Sequence, residues 1–206
     1  MSIERLEKWL NDRGFSPELR EERLDQVIGA YGAPGRHYHN FDHLRSSVKC
    51  LDRSFGGDWR IEGAVWFHDV VYDVHASDNE LRSAEWFDAH IAPQLPRDEA
   101  WVIRNLILVT DIRRGPGKDP LEQRMVDIDL AILSEGRSRY DDYRRQIRRE
   151  YAHVSAADFC EGRGRILEQC LRGPIYRTPV FQAREAMACW NLRRELRDLE
   201  HGMILD

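Results

Sequence analysis

Apolar residues recur along this chain three and four positions apart, the period that lines one face of an α-helix. Polar or Gly/Pro punctuation divides the pattern into helices expected near 3–13, 17–31, 40–54, 58–69, 78–92, 97–111, 120–134, 137–153, 156–172 and 179–199. Several starts are marked. Ser16 stands before Pro17-Glu18, a cap oxygen ahead of a proline at a position whose amide would have no helical partner. Asp119-Pro120-Leu121-Glu122 repeats that signal, and Thr178-Pro179 repeats its cap-and-proline part. Ser77-Asp78-Asn79-Glu80 has the spacing of a capping box. Gly115-Pro116-Gly117 marks a loop. No stretch sustains the two-residue alternation of a half-buried strand. Residues 101–110 are apolar enough for a buried strand, but their length and flanks favour a helix. The expectation is an all-α fold in a single domain over 1–206.

Composition narrows the partners. A chain of 206 residues with 42% hydrophobic and 33% charged positions can bury one proper core and stay soluble. Its net charge of -5 argues against a nucleic-acid polymer or an anionic membrane as partner. An anionic substrate remains open, because a metal and local arginines can reverse the sign inside a pocket. No run approaches 18 apolar residues, and residues 1–10 carry Glu and Lys where a leader would be apolar. A cytoplasmic protein is expected. Cys50, Cys160, Cys170 and Cys189 are far apart in helical stretches with no CxxC pair, which reads as buried free thiols.

The chemistry concentrates in two histidine-bearing segments and one acidic one. Five of the eight histidines fall between His37 and His75. His39 and His43 are four apart and would share a face if the helix began that early. His68-Asp69 ends the apolar run Ala64-Val65-Trp66-Phe67, and Asp127 and Asp129 sit inside Met125-Val126-Asp127-Ile128-Asp129-Leu130. Carboxylates and imidazoles placed against a core need partners, and one shared cation would serve several. Each piece alone has an ordinary structural explanation; the combination is informative.

The order His, His-Asp, Asp on separate helices resembles the HD superfamily of metal-dependent phosphohydrolases. It looks most similar to a branch of uncharacterised bacterial HD proteins, through Arg36-His37-Tyr38-His39 and Trp66-Phe67-His68-Asp69-Val70-Val71-Tyr72-Asp73. The likeness extends to Asp78-Asn79-Glu80 with Ser83-Ala84, the block from Asp127 to Leu133, and Ile147-Arg148-Arg149-Glu150-Tyr151. Tyr38-His39-Asn40 followed by His43 is also similar to the motif of cyclic-nucleotide phosphodiesterases. The resemblance implies an HD-domain helical bundle over about 30–135, with additional C-terminal helices over 137–199 packing on it.

Residue by residue, the resemblance implies His43, His68, Asp69 and Asp129 as ligands of one divalent metal ion. Asp129 is preferred because the superfamily usually shows its last aspartate just before an apolar helical residue, here Leu130, but Asp127 competes and the sequence alone does not separate them. Two nitrogens and two carboxylates suit Mn, Fe, Co, Ni or Zn better than Mg. His39 is the expected proton donor, with Glu80 and Asp78 as second candidates, although a capping role for Ser77 to Glu80 competes. Arg36, Tyr38, Tyr72 and Arg148 are the expected substrate contacts, and Arg163 and Arg165 are further cations. The other arginines of 137–149 read as a solvated face paired with Asp141, Asp142 and Glu150. His37, His75, His90, His153 and His201 read as non-ligands. The pattern is departed from at Arg113, where a further histidine is expected, so one ion is the expectation rather than two.

The implied reaction is hydrolysis of a small phosphorylated substrate, such as a nucleotide, through a metal-activated water. Alternatives are a catalytically silent HD-fold protein that binds a nucleotide or metal, and a purely structural helical protein. A di-iron oxygenase is disfavoured by the shortage of ligands. A homodimer is compatible with the sequence.

Overall fold

The computed structural model describes residues 2–115 and 117–205; Met1, Pro116 of the expected 115–117 loop, and Asp206 lie outside the described residues. Among the described residues the fold is all-α, with eleven α-helices and no strand. They are α1 (Ser2–Asp12), α2 (Pro17–Tyr31), α3 (Phe41–Phe55), α4 (Trp59–Phe67), α5 (Asn79–His90), α6 (Arg97–Leu108), α7 (Pro120–Asp129), α8 (Arg137–Glu150), α9 (Ala156–Leu171), α10 (Pro179–Gln182) and α11 (Glu185–Glu200).

Local chemistry accounts for the clearest starts. The Ser16 side chain accepts from the Leu19 amide, with Pro17 at the first helical position of α2. Asp119 and Glu122 form a reciprocal capping box on α7. Three expected features differ. The Ser77–Glu80 capping box does not form: α5 starts at Asn79 with Asp78 at the cap, and no side chain caps it. The expected helix over 120–134 stops at Asp129 and tightens into a 3-10 segment, Leu130–Ser134. The expected helix over 179–199 is interrupted at Ala183 and Arg184, between α10 and α11.

Thr178 stands at the cap of α10. Its hydroxyl donates to Asp127 (2.6 Å) rather than capping α10. Asp127 also accepts from the Arg177 and Thr178 amides, while Glu185 accepts from those of Ile175 and Tyr176. Two carboxylates thus hold four successive amides, and a single helical turn follows.

α4 is the organising element. Its last five residues, Gly63, Ala64, Val65, Trp66 and Phe67, are all buried, as expected of an apolar run with no polar face. It packs against α1, α3, α5, α6 and α7. Gly63 is required there: a Cβ would come within 2.6 Å of the Trp9 ring. Two apolar clusters result. The first runs from Leu6 to Ile128, so α1 and α2 join it ahead of residue 30. The second joins Tyr38 to residues from Leu133 to Leu199. Cys50 and Phe55 touch both. All four cysteines are free thiols, half-buried rather than buried.

Candidate metal centre

Three helix ends meet near the seam between the two clusters. Asn40 caps α3, its side-chain oxygen accepting from the Asp42 and His43 amides, which sets His43 in the first turn. Since α3 begins at Phe41, His39 precedes the helix, and the expected four-residue spacing along one helical face is not what relates it to His43. α4 ends at Phe67 and delivers His68 and Asp69 into the interior, with exposures of only 2% and 9%. Asp129 is the last residue of α7.

These ends bring four side chains together. His43 Nε2 and His68 Nε2 are 3.1 Å apart, and Asp69 Oδ2 is 3.1 Å from His68 Nε2 and 3.9 Å from His43 Nε2. Asp129 Oδ1 lies 3.4 Å from both imidazole nitrogens. Donors sharing a cation through bonds of about 2.1 Å stand about 3.0 Å apart at right angles and about 3.4 Å apart at tetrahedral angles. His43, His68 and Asp69, whose donor atoms all lie within 4.8 Å of one another, could therefore hold a shared divalent ion, and Asp129 Oδ1 stands beside both imidazoles.

The surroundings fix the donors. His68 Nδ1 is 2.9 Å from the Val65 carbonyl, which can only accept, so Nδ1 donates there and Nε2 is the ring nitrogen left to face the centre. The Asp69 amide donates to the Tyr31 hydroxyl. Arg36 donates to the carbonyls of His39, Asp69 and Val70, stapling the turn after α4 to the turn before α3. Burial alone would lift both carboxyls. The imidazoles of His68, His39 and His43 outweigh it at Asp69, and those of His43 and His68 outweigh it at Asp129, holding both well below the ordinary range.

His39 stands beside the centre with a buried partner. Its Nδ1 is 2.7 Å from Glu150 Oε2, its ring stacks on Tyr72 at 4.2 Å, and the Tyr72 hydroxyl donates to the same oxygen. Glu150 Oε1 accepts from the Tyr38 and His39 amides. Burial pulls the His39 pKa down, but Asp69, Glu150 and Asp129 together hold it above its usual value. Glu150 corrects the sequence reading, which placed it on a solvated face. Its spacing on α8 carried the signal, because Tyr140, Tyr143, Ile147 and Glu150 are buried at intervals of three and four.

A cavity of about 650 Å3 is lined by His39, His68, Asp69, Tyr72, Glu80 and Arg113, with Asp129 at its border. Burial raises the Glu80 carboxyl above the ordinary Glu value, and Asp111 and Asp69 add to it. No family model, curated protein or solved structure matches the chain significantly. The geometry of these residues therefore carries the functional argument.

Other expected residues are placed elsewhere. Asp127 is fully buried, and its oxygens are engaged by Arg177 and Thr178, so Asp129 is the aspartate of the α7 end that joins the cluster. Asp78 is exposed and does not line the cavity, whereas Glu80 does. Arg36 directs its guanidinium to three backbone carbonyls. Arg148 likewise donates to the Tyr151 and Val154 carbonyls and lies over Phe159. Arg163 lines the cavity but is held by Glu195 and the Tyr143 hydroxyl, and Arg165 pairs with Glu161 at the surface. Tyr38 is buried between His39, His43 and Tyr143. The supposed solvated face of α8 is also partly internal: Arg144 is 4% exposed and pairs with Asp141 and Asp198. Sequence reasoning singled out Arg113 for its missing histidine; the structure puts its guanidinium at the cavity, paired with Asp111 and 3.9 Å from Glu80.

Proposed function

We propose that this protein is a metal-dependent phosphohydrolase of the HD type that cleaves a small phosphoester, with nucleotides among the first substrates to try. The observation that carries the reading is the convergence of His43, His68, Asp69 and Asp129, with the His68 Nδ1 proton committed to Val65. Those four residues would hold the ion. When bound, a divalent cation there supplies Lewis acidity, drawing charge from phosphoryl oxygens and acidifying water.

The remaining steps belong to the chain. Glu150 occupies Nδ1 of His39, which leaves Nε2 as the ring nitrogen available to the cavity. An imidazolium kept charged by Glu150 and Asp69 can pass its Nε2 proton to a departing alkoxide. Tyr72, stacked on that ring and bonded to Glu150, holds its plane. Glu80 is a second proton carrier on the same wall, made a weaker acid by burial. Arg113, paired with Asp111, places a guanidinium on the cavity wall near Glu80.

The test is a phosphoester panel run with added Mn, Co, Ni or Fe on protein purified without chelators or a histidine tag. Phosphate release that disappears in His68→Ala supports the reading. A silent metal- or nucleotide-binding protein is the second reading, favoured by Arg113 in place of the histidine that the resemblance leads one to expect. Retained metal and bound nucleotide with no phosphate released would establish that reading instead.

A further inference from the structure

A second cleft, of about 550 Å3, opens from the same centre. It is walled at one end by His43 and Asp129 and farther out by Lys49, Arg53, Arg139 and Arg184. These cations come from three places in the fold: α3, α8 and the junction between α10 and α11. Among the described residues, Glu135 is the one carboxylate of the lining besides Asp129. Among the described residues none of the four cations forms an ion pair, and Arg184 lies over the Phe181 ring. Elsewhere many surface arginines do pair, as Arg45 does with Asp42 and Arg145 with Asp142. Four like charges gathered from separate elements repel one another, in a chain whose net charge is -5. A bound anion would relieve that repulsion.

We propose that this cleft is an anion subsite that takes a second phosphate group of the substrate. His43, Ser46 or Ser47, Cys50, and Arg53 or Ser54 recur three and four apart, so one face of α3 runs from the centre along the cleft. At 1.5 Å per residue, Lys49 and Arg53 stand about 9 and about 15 Å beyond His43 along the helix axis. Even with its side chain leaning back toward the helix N-terminus, Arg53 stays farther from His43 than neighbouring phosphates of one polyphosphate chain stand from each other. The arrangement suits an organic phosphate whose two phosphate groups are separated by a spacer such as a sugar. The serine hydroxyls of the α3 face add donors between the two ends.

The inference rests on the phosphohydrolase reading for which phosphate is cleaved, but not for the anion subsite itself. The test therefore uses metal-free, full-length protein and inorganic pyrophosphate as the probe, read by isothermal titration calorimetry. Wild type should bind. Arg53→Gln with Arg139→Gln should lose about tenfold or more in affinity, as expected when charge-assisted contacts are removed. Arg97→Gln with Arg149→Gln, both exposed and outside the cleft, should bind as wild type does. If the first pair does not fold by circular dichroism, Lys49→Gln with Arg53→Gln, both exposed on α3, decides in the same way. Absence of millimolar binding by wild type, or an equal loss in the control pair, overturns the subsite. Should wild type bind pyrophosphate through Arg53 and Arg139 yet take up no Mn, Fe, Co, Ni or Zn when one is supplied in a separate titration, the phosphohydrolase reading fails and the subsite stands.

Discussion

His39 Nδ1 and Glu150 Oε2 are 2.7 Å apart although 111 residues separate them in sequence. The same carboxylate accepts from two backbone amides and a tyrosine hydroxyl, so it fixes where the ring sits as well as its charge. Glu150 is a positioning residue acting through His39.

That relationship predicts an ordered pair of kinetic effects. His39→Ala should lower kcat by about 10²–10⁴-fold, the span of general acid catalysis. Glu150→Gln keeps the size but removes the charge, so its loss should be smaller. A general acid works below its pKa, and losing the Glu150 charge lowers the His39 pKa. The alkaline limb of the pH profile should therefore move to lower pH in Glu150→Gln, with metal content unchanged. An unshifted limb would leave Glu150 as packing only.

Asp127 and Asp129 should separate cleanly. Asp129→Asn removes a donor 3.4 Å from both imidazoles and should lose metal while keeping its fold. Asp127→Asn sets an amide against donors from Arg177 and Thr178 and should cost about 1–3 kcal/mol in a denaturant melt while retaining metal. Metal loss with intact stability in Asp127→Asn would reverse the assignment.

Helix periodicity and cap chemistry made the all-α fold readable before any coordinates, because each helix buries a stripe and most starts are marked locally. The breaks at Arg184 and after Asp129 were not readable, since no Gly or Pro marks either one, and the contact between Thr178 and Asp127 spans 51 residues. The four centre residues could be named from motif order. Their neighbours could not: Arg36 and Arg148 look available in sequence, yet carbonyls brought close by folding occupy both. Glu150 was hidden among arginines, although its place on the buried stripe of α8 was visible.

Gly63→Ala should destabilise the protein by about 1–3 kcal/mol, the usual result of overpacking. The new methyl would meet Trp9 at 2.6 Å and Ile103 at 3.3 Å in the helix that delivers His68 and Asp69. Thermal unfolding measures it. A midpoint equal to wild type would mean that α1 shifts away without penalty.

Acid sensitivity should trace in part to Glu195. Burial would lift its carboxyl, but Arg163, with the Tyr140 hydroxyl, outweighs this and holds the pKa below the ordinary 4.5. A lowered folded-state pKa contributes stability that is present above about 4.5 and lost as pH falls through the folded value. Glu195→Gln should flatten that acid limb. At pH 7 it should cost about 3–5 kcal/mol, because Arg163 is left buried without its partner charge. A variant with the wild-type dependence on pH would remove Glu195 from the account.

The convergence of four donors is tested most directly by elemental analysis of the protein purified without chelators or a histidine tag, paired with thermal melts before and after chelation. The account predicts about one divalent transition-metal ion per chain, coordinated by two nitrogens and two carboxylates, and a lower midpoint once it is stripped. A chain that carries no such ion, takes none up when Mn, Fe, Co, Ni or Zn is supplied, and melts identically with and without chelator would contradict it.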